Sequence, residues 1–103
     1  MSAIVQAAFT TGRKSGINAT AARLTAAALT GDFLRRGVTI KAASGNTNKV
    51  YVGLAGVTPD SADATDGFPL SANDTVTIEV DDPYKVFVVG DVAGPQKVFW
   101  VGD

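Results

Sequence analysis

The 103-residue sequence contains no cysteine and no histidine. Disulfide staples, thiol nucleophiles, zinc fingers and histidine-based triads are thereby excluded, because each needs a thiolate or an imidazole. Lack of cysteine leaves the redox compartment open, since such a chain folds in either. Glutamate occurs once, at Glu79, so general acid–base chemistry would fall to aspartate. No apolar run approaches the ~18–20 residues of a membrane-spanning helix. The N-terminus shows no basic, then apolar, then small-residue leader. No GxGxxG or GxxxxGK[ST] run occurs. Gly53-Leu54-Ala55-Gly56 and Gly90 to Gly94 lack the spacing and the lysine that cradle phosphate.

What is present argues for a folded domain. The hydrophobic fraction is 46%, the charged fraction 18% and the mean hydropathy +0.16, more apolar and less charged than disordered chains. The length suits one domain with a single modest core. Net charge is −1, but its distribution is uneven. Residues 1–55 carry Arg13, Lys14, Arg23, Arg35, Arg36, Lys41 and Lys49 against Asp32 alone. Residues 56–103 carry Lys85 and Lys97 against Asp60, Asp63, Asp66, Asp74, Glu79, Asp81, Asp82, Asp91 and Asp103. Either the halves interleave and the charges mix, or the molecule is polar, with a basic end and an acidic end suited to oriented association.

Hydrophobic alternation predicts strands over most of the chain. Val38 to Ala42 has the period of a half-buried strand, Ser44 to Asn48 has turn chemistry, and Lys49 to Gly53 follows as a second strand, so the two are expected to form a hairpin. Leu54 to Asn73 holds Pro59, Gly67 and Pro69 and reads as a surface loop, with Phe68 and Leu70 plugging one end of the core. Asp74 to Val80 is the clearest strand, with Val76, Ile78 and Val80 inward. Asp81-Asp82-Pro83 reads as a turn, then Tyr84 to Val89 and Gln96 to Val101 as strands joined by a turn at Gly90 to Pro95, making a three-stranded meander. Toward the N-terminus, Ala3 to Phe9 reads as a strand and Thr10 to Asn18 as a flexible connection. Ala19 to Thr25 reads as a short strand that gives way to irregular or 3-10 chain up to Arg36. The expected fold class is all-β: a small single-domain β-sandwich or barrel of about seven short antiparallel strands. Residues 1–18 are expected to form an N-terminal arm and residues 19–103 the sandwich.

Candidate chemistry is sparse. Asp60, Asp63 and Asp66 recur every third residue beside Gly67 without the alternate ligands and closing Glu of a calcium loop, so a solvated loop outweighs a cation site. Asp81 and Asp82 are neighbours on an extended chain and point to opposite sides, which favours a turn over a catalytic pair. Asn18-Ala19-Thr20 and Asn73-Asp74-Thr75 match the glycosylation sequon, but both Asn stand where turn residues are expected. Arg13-Lys14 and Arg35-Arg36, without interleaved aromatics, fall short of a phosphate-tracking surface. One pattern exceeds a plain core: both faces of the last two strands are apolar. Phe87 and Val89 oppose Val86 and Val88, and Phe99 and Val101 oppose Val98 and Trp100. Tyr51 likewise opposes Val50 and Val52. Tyr51, Phe87 and Phe99 are therefore expected to form a second apolar surface, covered either by the chain's own loops or by another subunit.

The run Arg36 to Ala42, then Gly45-Asn46 to Val50-Tyr51-Val52-Gly53, then Gly56-Val57-Thr58, resembles small virion proteins of tailed bacteriophages. So do Gly67-Phe68-Pro69-Leu70 followed by Asp74 to Val80, and the closing Gln96 to Gly102. The resemblance covers residues 35–102 and is to β-sandwich proteins of the head decoration, or capsid cement, type. It implies a non-enzymatic protein on the capsid exterior, made in the host cytoplasm, that binds the major capsid protein and stabilises the shell by bridging capsomers. A homo-oligomer, with a trimer favoured, is expected, with no cofactor, no metal, no nucleic acid and no membrane. Tyr51, Phe87, Phe99 and Val101 are the expected subunit-interface residues. Arg13, Lys14, Arg35 and Arg36 are the expected capsid contacts. The alternative is a fibre- or tail-associated module that binds a host-surface glycan.

Overall fold

A computed structural model of the protein describes residues 10–29, 33–59, 66–91 and 96–103. It contains eight strands: β1 (Thr10–Ile17), β2 (Ala22–Arg23), β3 (Val38–Ala42), β4 (Val50–Gly53), β5 (Phe68–Leu70), β6 (Thr75–Ile78), β7 (Phe87–Gly90) and β8 (Gln96–Gly102). A 3-10 turn, Pro83–Lys85, precedes β7. Among the described residues no helix is long and apolar enough to cross a membrane.

The strands form two four-stranded sheets, in the orders β1-β8-β3-β6 and β2-β7-β4-β5, and every neighbouring pair is antiparallel. The all-β sandwich expected from the sequence is the fold of the chain. β1 pairs with β8, β2 with β7, β3 with β6 and β4 with β5. The chain is thus one long antiparallel ribbon, doubled back between β4 and β5. Wrapping that ribbon brings β8 onto β3 and β7 onto β4. This is the strand order of a jelly roll, one of the architectures that fold an all-β chain into two packed sheets.

Between the sheets lies a core of β-branched and leucine side chains. Val38, Ile40, Ala42 and Val98 from the first sheet meet Val50, Val52, Leu70 and Val88 from the second, with Leu24, Leu34 and Val86 closing the ends. Each fully buried Val, Ile or Leu contributes ~1.5–3 kcal/mol of gross transfer free energy. Val76, Ile78 and Val80 pack against this core half-buried, on the inward side expected of them. Gly12 sits against the Trp100 ring so closely that a Cβ there would lie 2.5 Å from Cζ2.

Several local expectations are corrected. β3 and β4 do not form a hairpin, since they lie in different sheets. The apolar faces of both must be buried, and placing them across the core from one another buries both at once. The residue 74–101 stretch is not a meander for the same reason: β6 and β8 belong to the first sheet and β7 to the second. Thr10 to Ile17 is not a loose connection but an edge strand, hydrogen-bonded along β8 with a bulge between Lys14 and Ile17. Within the expected loop 54–73, Phe68–Leu70 forms an edge strand, a position where a proline such as Pro69 is tolerated because one side of the strand carries no ladder. Leu70 is buried as expected, whereas Phe68 is 56% exposed and does not plug the core. The expected strand Ala3–Phe9 and the turn residues 92–95 lie outside the described residues.

The charge asymmetry dissolves in this topology. In each sheet, strands from residues 1–55 and 56–103 alternate, so the basic and acidic halves are interleaved rather than gathered at two ends.

Candidate functional site

Cross-strand register fixes which side chains share a face. On the outer face of the first sheet, one row reads Thr11, Val101, Thr39, Thr77, and the next reads Arg13, Phe99, Lys41, Thr75. Alternation along β8 adds Lys97 to this face. Thr39 and Thr77 join their hydroxyls at 2.8 Å. Phe99 and Val101 remain 43% and 37% exposed at the centre. The strand positions of this face therefore present a short apolar ridge, three cations, a threonine border and no carboxylate. Phe99 stands directly between Arg13 and Lys41 in the register.

The outer face of the second sheet is different, because the chain covers it. Tyr51 and Val89 are buried in a small cluster with Val57 from the β4–β5 connection, and Ala21 and Phe87 pack against it. Arg23 lies over the rings of Tyr84 and Phe87, 3.9 and 4.7 Å from their centroids, and donates from its guanidinium to the Tyr84 carbonyl at 2.7 Å. Such stacking holds Phe87 half-buried without a partner chain. Tyr51 and Phe87 therefore share one outer face and Phe99 the opposite one, and the three do not form a single surface.

The expected capsid contacts are likewise dispersed. Arg13 belongs to the open face of the first sheet, and Lys14 alternates to the other side and is half-buried. Arg35 and Arg36 are exposed at one end of the sandwich, where their backbone N–H groups donate to the Asp103 carbonyl at 3.0 and 2.7 Å. Lys41 and Lys97 were not among the expected contacts. Alternation marks both as outward, but only the inter-strand register puts Lys41 beside Phe99.

At the other end, the β3–β4, β5–β6 and β7–β8 connections surround a cleft of about 650 Å3, lined by Asn48, Lys49, Tyr51, Ser71 and Asp91 among others. Its rim is held by one buried and one half-buried side chain. Gln96, 1% exposed, accepts from the backbone N–H groups of Thr47 and Asn48 at 3.0 and 3.3 Å, and its amide nitrogen pairs with the Thr47 hydroxyl at 3.2 Å. Asn46 binds both backbone groups of Lys97, donating to the carbonyl at 2.8 Å and accepting from the N–H at 2.9 Å, and so acts as an extra rung on β8. The Tyr51 hydroxyl donates to Asp91 at 3.3 Å. A smaller cleft of about 250 Å3 adjoins through shared Lys49 and Tyr51 and runs on to Asp66 and Pro69.

The acids singled out in the sequence serve the fold. Asp82 is 4% exposed, and its carboxylate accepts from the N–H groups of Leu29 and Tyr84 at 3.0 and 2.9 Å, capping the 3-10 turn. Asp81 pairs with Lys85 at 2.7 Å on the surface. That contact lowers the Asp81 carboxyl below, and raises the Lys85 ammonium above, their ordinary values. Asp66 accepts from the Thr58 hydroxyl at 3.3 Å, while Asp60 and Asp63 lie outside the described residues. Among the described residues no group of three potential metal ligands occurs. Asn18 accepts from the Thr20 N–H at 2.9 Å, and Asn73 takes a φ of 71°, so both sequon asparagines occupy turns.

Comparison with family models, with curated proteins and with solved structures finds no match for this chain. The functional argument therefore rests on the chain's own surfaces.

Proposed function

We propose that this chain is a non-enzymatic head decoration protein of a tailed bacteriophage, docking on the capsid exterior through the outer face of the first sheet. One observation carries the reading: the Phe99–Val101 ridge is exposed at the centre of an intact sheet and flanked by Arg13, Lys41 and Lys97. An aromatic anchor ringed by polar and cationic groups has the composition of an interface centre and rim. The absence of carboxylates from the strand positions of that face favours an acidic surface on the major capsid protein. Jelly rolls occur in viral coats, which adds support by analogy of fold alone. A protein that binds only the assembled shell stabilises it by mass action, so its work needs no catalytic group. Of the expected subunit contacts, Phe99 and Val101 remain available and Tyr51 and Phe87 are already covered.

The test is addition of the protein to undecorated capsids of the phage that encodes it. Binding and a raised capsid disruption temperature are expected, with Phe99→Asp abolishing both while keeping a folded spectrum. No binding, or equal binding by Phe99→Asp, would discard the reading.

A further inference from the structure

The loop-end cleft lies away from the Phe99 ridge, yet it is roomy and its rim is braced by side-chain amides. Gln96 and Asn46 spend their side-chain amides holding residues 46–48 in place. A rim fixed in this way loses little freedom when a ligand enters. The volume of about 650 Å3 lies within the ~300–1,000 Å3 of small-molecule sites.

The chemistry of the lining narrows the ligand. Lys49 and Asn48 supply donors, Asp91 supplies an acceptor already oriented by the Tyr51 hydroxyl, and Ser71 adds a group of either kind. Among the described residues one cation, Lys49, and one anion, Asp91, line this space, which favours neither a polyanion nor a polycation. Adjacent hydroxyls on a sugar ring match this alternation, each donating to the carboxylate while accepting from the ammonium or amide. The adjoining cleft continues past Lys49 and Tyr51 toward Asp66 and Pro69, with a second carboxylate at its far side. A groove of two connected lobes with repeated donor and acceptor positions suits a chain of such rings better than a single one.

We propose that the groove formed by Asn48, Lys49, Ser71 and Asp91, extended toward Asp66, binds a neutral oligosaccharide. This activity is independent of shell docking. The two would coexist on one particle, since the groove opens among the connections at the end of the sandwich while the Phe99 ridge lies on the outer face of the first sheet.

The test is titration of the isotope-labelled full chain, followed by amide resonances. The probes are neutral trisaccharides of glucose, mannose, galactose and N-acetylglucosamine, with a sulfated trisaccharide and inorganic phosphate as separate arms. At least one neutral probe is expected to give saturable shifts centred on residues 48, 49, 71 and 91. Asp91→Asn and Lys49→Ala, both at exposed positions, are expected to keep the folded spectrum and weaken that binding at least about tenfold each, as loss of a charge-assisted hydrogen bond implies. The proposal is overturned if no neutral probe shifts these amides, if only the anionic arms do, or if both variants bind like the parent. Phe99→Asp should leave the titration unchanged, which separates failure here from failure of the docking reading.

Discussion

Removing the Asp82 carboxylate is the most direct test of how the sandwich is tied together. Asp82 is 4% exposed and accepts from two backbone N–H groups, Leu29 on the strap between β2 and β3 and Tyr84 in the turn before β7. Asp82→Ala leaves both donors without their acceptor. Each orphaned N–H costs ~1–3 kcal/mol, so the variant should lose about 2–6 kcal/mol. That is a large share of the ~5–15 kcal/mol by which small domains are stable. At ~4–8 °C per kcal/mol for a domain near this size, Tm should fall by roughly 10–50 °C. Asp82→Asn should lose about half as much, because its carbonyl oxygen keeps one N–H while its amide faces the other. Urea unfolding gives the free energies, and hydrogen exchange at the Leu29 amide reports the strap directly. If Asp82→Ala stays within ~0.5 kcal/mol of the parent, the range of an ordinary surface substitution, and Leu29 exchange is unchanged, the clamp does not exist as described.

Two further outcomes follow from the same geometry. Gly37 has a φ of +122° and a virtual Cβ 2.2 Å from the Ile78 carbonyl oxygen, so Gly37→Ala combines strain with a backbone clash and should cost more than about 2 kcal/mol by urea unfolding. The Asp81–Lys85 pair should make a small, salt-sensitive contribution. The lowered Asp81 value makes that contribution present above the unfolded 3.8 and lost as pH falls through the folded value. The raised Lys85 value makes it present below the unfolded 10.5 and lost as pH rises through the folded one. The Tm gap between the parent and Lys85→Ala should therefore be flat between these limits, close at acid pH and shrink in ~1 M salt. A gap that widens on acidification would contradict the pairing.

Strand positions were legible because Val38-Thr39-Ile40 and Thr75-Val76-Thr77-Ile78 alternate cleanly, and alternation is what a sheet with one buried face requires. β1 was not legible. As an edge strand its sequence, Thr-Thr-Gly-Arg-Lys-Ser-Gly-Ile, buries only the final residue deeply, and its pairing comes from β8 rather than from its own pattern. β5 was hidden by Pro69, which argues against a central strand but not against an edge. The pairing of strands departs from the expected hairpin and meander, which follow from the tendency of sequence neighbours to pair. Here distant segments are tied together by single side chains, Asn46, Asp82 and Gln96, whose long-range partners lie 48 to 53 residues away. The candidate surface suffered the same limit. Alternation turned Tyr51, Phe87 and Phe99 outward on their own strands, but only the sheet order assigns Phe99 to the open face and the other two to the covered one.

The nested pairing also bears on how the molecule comes into being. β8 is bonded to β1 on one side and β3 on the other, so the first sheet stays split down its middle until residues 96–102 have left the ribosome. Without β8, β1 and β3 have no strand to join them, and the β8 flank of β3 is left unpaired. Folding is then a single late closure over long loops, slow by the rule that distant contacts must first meet the entropy of closing them. A stalled or truncated product would expose unpaired strand edges to other chains rather than form a smaller version of the domain.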